Sequence, residues 1–168
     1  MRPHFPAPAA GRFVLVALLL AALPAGAQEA PVSSNIAFGA RAGYTHWENV
    51  NQIHFGAHLK LGEILPNVRL TPGVEAGLGD GVTIITVNGD VTYDFTEFVA
   101  QPWNLYGGGS LSFNTFKPDA GDTATDIGLS ALLGLERTLA SGHRAMAEIR
   151  AGLIDSPGFK LTFGYTLF

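Results

Sequence analysis

The chain contains no cysteine, which excludes a disulfide framework and a lipid-anchor cysteine. After its first 27 residues it has no apolar run approaching 18 residues, which excludes helical membrane spans. Positive charge is scarce. Ten Lys and Arg stand against fourteen Asp and Glu, for a formal net charge of −4, and no basic stripe exists to hold nucleic acid. What the chain does have is glycine, 21 residues, and a 47% hydrophobic content with its charges spread along the length. High apolarity without a long apolar run is what alternating strands produce.

The first residues read as a targeting segment. Arg2 and Arg12 give a basic start, and Phe13 to Leu23 is an unbroken apolar run that Pro24 ends. Ala25-Gly26-Ala27 then offers a small-x-small cleavage site. A run this short falls below the roughly 20 residues a helix needs to cross a bilayer, so residues 1–27 are expected to be a cleaved secretory signal peptide. Losing Arg2 and Arg12 takes the formal charge to about −6, because every acid follows the cut. Residues 28–34 read as a flexible leader, and residues 35–168 as one domain.

That domain alternates. The final stretch, Gly158 to Phe168, puts Phe159, Leu161, Phe163, Tyr165 and Leu167 on one face of a strand and Lys160, Thr162, Gly164 and Thr166 on the other. The same split recurs about eight times. The other strands are expected over Asn35 to His46, Gln52 to Gly62, Asn67 to Gly79, Val82 to Phe95, Trp103 to Phe116, within Asp122 to Arg137, and over His143 to Ile154. Pro72 falls on an apolar face and predicts a bulge or an interruption of the ladder.

The charges decide what kind of barrel these strands make. Arg41, Lys60, Arg69, Glu75, Asp90, Asp94, Glu136, Arg144, Glu148, Arg150 and Lys160 all lie on polar faces, and the apolar faces carry no charge in their central parts. Arg or Lys at the lipid midplane of a barrel costs about 2–4 kcal/mol, whereas a lumen tolerates charge. A soluble barrel shows the opposite bias. Strands of about 9–11 residues fit the hydrocarbon thickness when tilted. The fold expected is therefore all-β: an eight-stranded antiparallel transmembrane up-and-down β-barrel. Eight strands leave an interior that side chains can fill, so the polar faces should form a plug. Within it, hairpin register is expected to set Glu136 opposite Arg144, Arg69 diagonal to Asp90, and His54 opposite Glu75.

With these features the chain resembles the small outer-membrane β-barrels of Gram-negative bacteria, the OmpA-like, OmpX-like and opacity-protein barrels. The resemblance spans Asn35 to Phe168. It rests on the signal peptide, the eight two-faced strands and an aromatic terminal strand, with Phe163, Tyr165 and Phe168, that is similar to the signal read by the barrel-assembly machinery. Phe168 follows Leu167 directly, so the last aromatic is out of step with the Phe163–Tyr165–Leu167 face. The resemblance implies an outer-membrane location, with both termini periplasmic and loops near Glu48, Asp80, Asp119 and Asp155 facing outward. It implies lipid and lipopolysaccharide as surroundings, and periplasmic chaperones and the assembly machinery as partners during biogenesis. It implies a monomer with no nucleic-acid partner and no peptidoglycan-binding domain after the barrel.

Candidate chemistry is thin. His54 and His58 share a strand face, but four residues at about 3.3 Å each separate them by roughly 13 Å, too far for one ion. Ser141-Gly142-His143 is the one close Ser/His pair; it falls in a turn and does not match the His-x-Ser arrangement of lipid A deacylase barrels. Gly107-Gly108-Gly109 has no following helix to cradle phosphate and reads as a place where strand curvature or an overlying aromatic needs room. Trp47, Tyr44, Trp103, Tyr93, Phe95, Phe113 and Phe116, near strand ends, read as an interfacial girdle. No cofactor, metal or catalytic set is expected. The function expected is a structural or membrane-integrity role, with surface interaction through short acidic loops beside it. The rivals are a soluble lipocalin-like periplasmic barrel with an apolar ligand, and a lipid-modifying barrel enzyme.

Overall fold

The computed structural model describes residues 36–167. The expected signal peptide, leader, first residue Asn35 and final aromatic Phe168 lie outside the described residues. Inside them the strands are β1 (Ala37–Trp47), β2 (Val50–Lys60), β3 (Glu63–Leu65), β4 (Val68–Gly79), β5 (Val82–Asp94), β6 (Trp103–Pro118), β7 (Ala124–Thr138), β8 (Arg144–Ile154) and β9 (Phe159–Thr166). β3 is a three-residue stub paired only with the start of β4. The other eight close on themselves: β2 pairs β4 across the stub, each later strand pairs the next, and β9 returns to β1, all antiparallel. Every long strand thus has two neighbours, as a sheet in hydrocarbon requires.

Alternation is visible strand by strand. In β7, Gly128, Ser130, Leu132, Gly134 and Glu136 are buried, while Ile127, Ala131, Leu133 and Leu135 are exposed. The buried set is dominated by polar residues. Among the described residues Ile84, Tyr106, Leu132 and Met146 are the buried apolar and aromatic side chains, against more than twenty buried polar or charged ones. Outside, Phe55, Val87, Phe113 and Phe163 stand about half exposed. The soluble lipocalin-like arrangement is overturned by this distribution, since it needs Arg41, Glu75, Glu148 and Arg150 outward and all four are buried inside.

Pro72 does interrupt a ladder. β2 and β4 pair from Ile53–Leu78 to His58–Gly73, and the next bond between these segments is Leu61 N to Leu70 O at 3.1 Å. On its other side Pro72 stays in register opposite Gly89. Proline has no N–H to give to a second neighbour. Asn67, with φ of 62°, turns the chain between the stub and β4.

Connections are short at the end where β1 finishes. Trp47 and Val50 pair across Glu48-Asn49, and Gly79 and Val82 across Asp80-Gly81. Asp80 and Gly81 have φ of 48° and 70°, the Asp-Gly pairing that positive φ at both central hairpin positions favours. Among the described residues the longest connection, residues 95–102, lies at the opposite end, where β1 begins and β9 finishes.

Candidate functional site

The lumen brings most of the expected charges together in two groups. The central one is built on Arg150, Asp90, Glu75 and Arg41. Arg150 grips both oxygens of Asp90, at 2.6 and 2.9 Å, and its Nε donates to Glu148 Oε1 at 2.7 Å. Ser110 and Asn88 donate to the same Asp90 oxygen at 2.6 and 2.8 Å. Arg41 lies 3.1 Å from Glu75 and 3.5 Å from Asp90, and Lys160 donates to the other oxygen of Glu75.

The second group sits nearer the end that holds β1's start. Arg69 donates to Asp94 at 2.5 Å and to Glu136 at 3.3 Å, and Lys60 donates to the other Glu136 oxygen. Tyr106 joins the groups: its hydroxyl donates to Glu148 at 3.0 Å while its ring lies 5.2 Å beneath the Arg69 guanidinium. Gly134, directly opposite, makes room, because a Cβ there would come 2.2 Å from the ring.

Two pairings expected from hairpin register are corrected, and a third keeps its register but takes another partner. Glu136 faces Met146, not Arg144. Arg144 is displaced to the barrel mouth, its side chain 45% exposed and 3.6 Å from Glu136, so it borders the lumen instead of filling it. Arg69 is diagonal to Asp90 as counted, but it is equally diagonal to Asp94 and bonds there. His54 faces Gly77, not Glu75, because the stub and the turn at Asn67 move the centre of the hairpin by one residue pair.

Both histidines are held by threonines. His54 bonds Thr45 and Thr162 at 2.9 and 3.1 Å, and His58 bonds Thr166 at 2.8 Å. Gly43 and Gly39 lie against the two rings, where a Cβ would come within 2.8 and 2.4 Å. Sequence reasoning did not single out these threonines, or Asn114 and Gln52, as fully enclosed; their inward parity was the available signal. Above the charged groups, toward the short turns, the lumen is polar but uncharged: Gln52 donates to the Val82 carbonyl at 2.7 Å and Asn114 to that of Asp155 at 3.3 Å.

Among the described residues the lumen buries five cations, Arg41, Lys60, Arg69, Arg150 and Lys160, against five anions, Glu75, Asp90, Asp94, Glu136 and Glu148. The buried charges thus balance to a formal net charge of zero. Spaces between the side chains are small, about 20 Å³ beside Ser112 and Arg150, 20 Å³ beside Tyr106 and Thr71, and 10 Å³ beside Gln52 and Thr45. Each is about one water in size.

On the outer wall, Phe163 and Tyr165 of the aromatic terminal strand point outward and are exposed. Gly107 lies beneath the Phe95 ring, 3.1 Å from where a Cβ would stand. Ser141 is exposed in the β7–β8 turn, and His143 Nδ1 lies 2.6 Å from the Tyr165 hydroxyl. Tyr93, Phe95 and Phe98 form a T-shaped series at the strand ends. Trp47 and Phe116, expected in the interfacial girdle, instead meet edge-on on the lumenal side: Phe116 stands opposite the buried Ile84, and Trp47 lies beside Thr45, Gln52 and His54, because both share the parity of the inward residues of their strands.

No protein-family model matches the chain, and no curated protein sequence does. Among solved structures it is similar to Neisserial surface protein A, with a TM-score of 0.62 and 16% identity over 79% of this chain and 94% of that one. It is also similar to the N-terminal β-barrel domain of Pseudomonas aeruginosa OprF, with a TM-score of 0.60 and 13% identity over 77% and 95%. At such identities the likeness is one of fold. A closed, polar-cored, apolar-walled barrel with these neighbours has the fold of the small eight-stranded outer-membrane β-barrels.

Proposed function

We propose that the protein is a non-catalytic integral barrel of the outer membrane, exported through residues 1–27, whose role is structural and supports membrane integrity. The observation that carries this reading is the inverted distribution of polarity: an ion-paired interior inside a wall of half-exposed apolar side chains. In water such a wall has no partner; in a bilayer it meets lipid and lipopolysaccharide. On this reading the barrel is a monomer, delivered by periplasmic chaperones and inserted by the assembly machinery with both termini periplasmic. Surface interaction is the second reading. The short-turn end presents Glu48, Asp80, Asp119, Asp122 and Asp155 with Lys117 as a nearby cation.

Fractionated envelopes should hold the protein in the outer membrane, and it should migrate differently in gels before and after boiling. A soluble periplasmic fraction with unchanged mobility would overturn the reading. Loss of the protein should raise sensitivity to detergents and large antibiotics, and leave lipid composition unchanged. An altered lipid species would favour an enzyme. Planar-bilayer recordings should show no stable porin-like conductance, since the spaces found between the lumenal groups of the described residues are each about one water in size.

A further inference from the structure

Large side chains do not cover the outer wall evenly. Where β9, β1, β2 and β4 lie side by side, Ala40, Ala42 and Ala57 form the floor of a shallow trough that opens outward, with Phe55 rising between Ala42 and Ala76. Register sets Ala40 beside Ala57 and Ala42 beside Phe55, with Ala76 next in that row. Phe163 and Tyr165 of β9 wall one side, and Val74 and Ile85 the other. Toward the short turns the next row is Tyr44, Ile53 and Leu78, and toward the opposite end it is Phe38 and Leu59. The trough is therefore bordered at both ends and on both sides, and open outward. Arg41 and Glu75 border it through their backbone, because their side chains pair with each other inside the barrel.

We propose that this trough is a lipid site, in which the distal segment of one membrane-lipid acyl chain sits as an ordered occupant. The proposal rests on the membrane reading above. The trough is continuous with the apolar wall, so whatever enters it comes from the hydrocarbon. Ala40 and Ala42 are the fourth and sixth residues of the eleven-residue β1, which puts the floor at mid-depth, where acyl chains end. The floor offers no polar side chain to a peptide or a headgroup. Left open, it would deny its walls contact on one side, and dispersion falls off within an ångström of separation. A slender flexible chain can follow the floor between the bulky side chains that border it.

The test uses the full barrel refolded in phosphatidylethanolamine–phosphatidylglycerol vesicles. Native mass spectrometry after transfer to detergent should find one retained lipid per wild-type barrel. In the trough-filling Ala42→Phe/Ala57→Leu variant that occupancy should fall at least tenfold, while Ala131→Leu elsewhere on the wall should leave it unchanged. A lipid carrying a photoreactive group near its chain terminus, used on the wild type, should label β1 and β2 peptides in preference to the rest of the wall. Equal lipid retention in the filled variant, or even labelling around the barrel, overturns the proposal. So does a dimer mass that trough filling abolishes. A chain that does not fold into vesicles at all overturns the membrane reading itself, and the gel-mobility test detects that separately.

Discussion

Val87→Arg is expected to lower the stability of the barrel in bilayers by about 2–4 kcal/mol. Val87 lies mid-strand in β5, opposite Val74 and Phe113 and half exposed on the apolar wall. An arginine there costs about 2–4 kcal/mol at the hydrocarbon midplane, against a total stability of the order of 5–15 kcal/mol for a typical domain. The urea midpoint and the folded, heat-modifiable fraction in vesicles should both fall, while Asp119→Arg, in an exposed turn, should fold like wild type. Inward substitutions are a poor control here. Parity alone suggests that Thr162→Arg or Asn88→Arg should be tolerated unless the plug is crowded, and it is crowded: Thr162 is fully enclosed against His54, and Asn88 is buried on Asp90. Both should fold poorly through overpacking. Wild-type folding of Val87→Arg would remove the hydrocarbon from the outside of the barrel.

Arg150→Ala should produce the second large effect. It leaves Asp90 and Glu148 buried without their shared guanidinium, and breaking a buried pair from one side costs about 3–5 kcal/mol. Arg41 at 3.5 Å compensates Asp90 in part, and Tyr106 still donates to Glu148. Glu148→Ala should cost less, since Arg150 keeps its two bonds to Asp90. Asp119→Ala should fall within about 0.5 kcal/mol, as surface changes do. Urea midpoints in vesicles should follow the order Asp119→Ala above Glu148→Ala above Arg150→Ala. The reverse order would mean that water solvates the lumenal charges freely.

What was legible in the sequence is the side of the wall each residue faces. Period-two alternation assigns Arg41, Glu75, Asp90, Glu148 and Lys160 to one face without any knowledge of partners, and a single exposed or buried medium on each side enforces it. Partner identity depends on register, and register depends on turns whose geometry is not carried by alternation. One stub at Glu63–Leu65 with a positive-φ Asn67 was enough to move Glu75 from His54 to Gly56. Reach matters too. Arg69 could extend toward Asp90 or Asp94 from one diagonal position, and Glu136 sits closer to Asp94's side of the lumen, so the guanidinium bridges those two. Contacts such as Lys160 with Glu75 join residues 85 apart, a relation that no local pattern encodes.

That last contact also fixes an order in time. β9 supplies Lys160 to Glu75, Thr162 to His54 and Thr166 to His58, and it follows the other described strands out of any machine that makes or exports the chain from its N-terminus. Until it arrives, Glu75 and two histidine rings wait beside half-made walls, and β1 and β8 each present an unpaired row of amides that could recruit a stranger's strand. Such an unfinished sheet cannot be left unattended in water. The closing strand thus acts as a completion check, and truncation within β9 should yield a species recovered with holding chaperones or degraded, with little of a shorter but stable barrel.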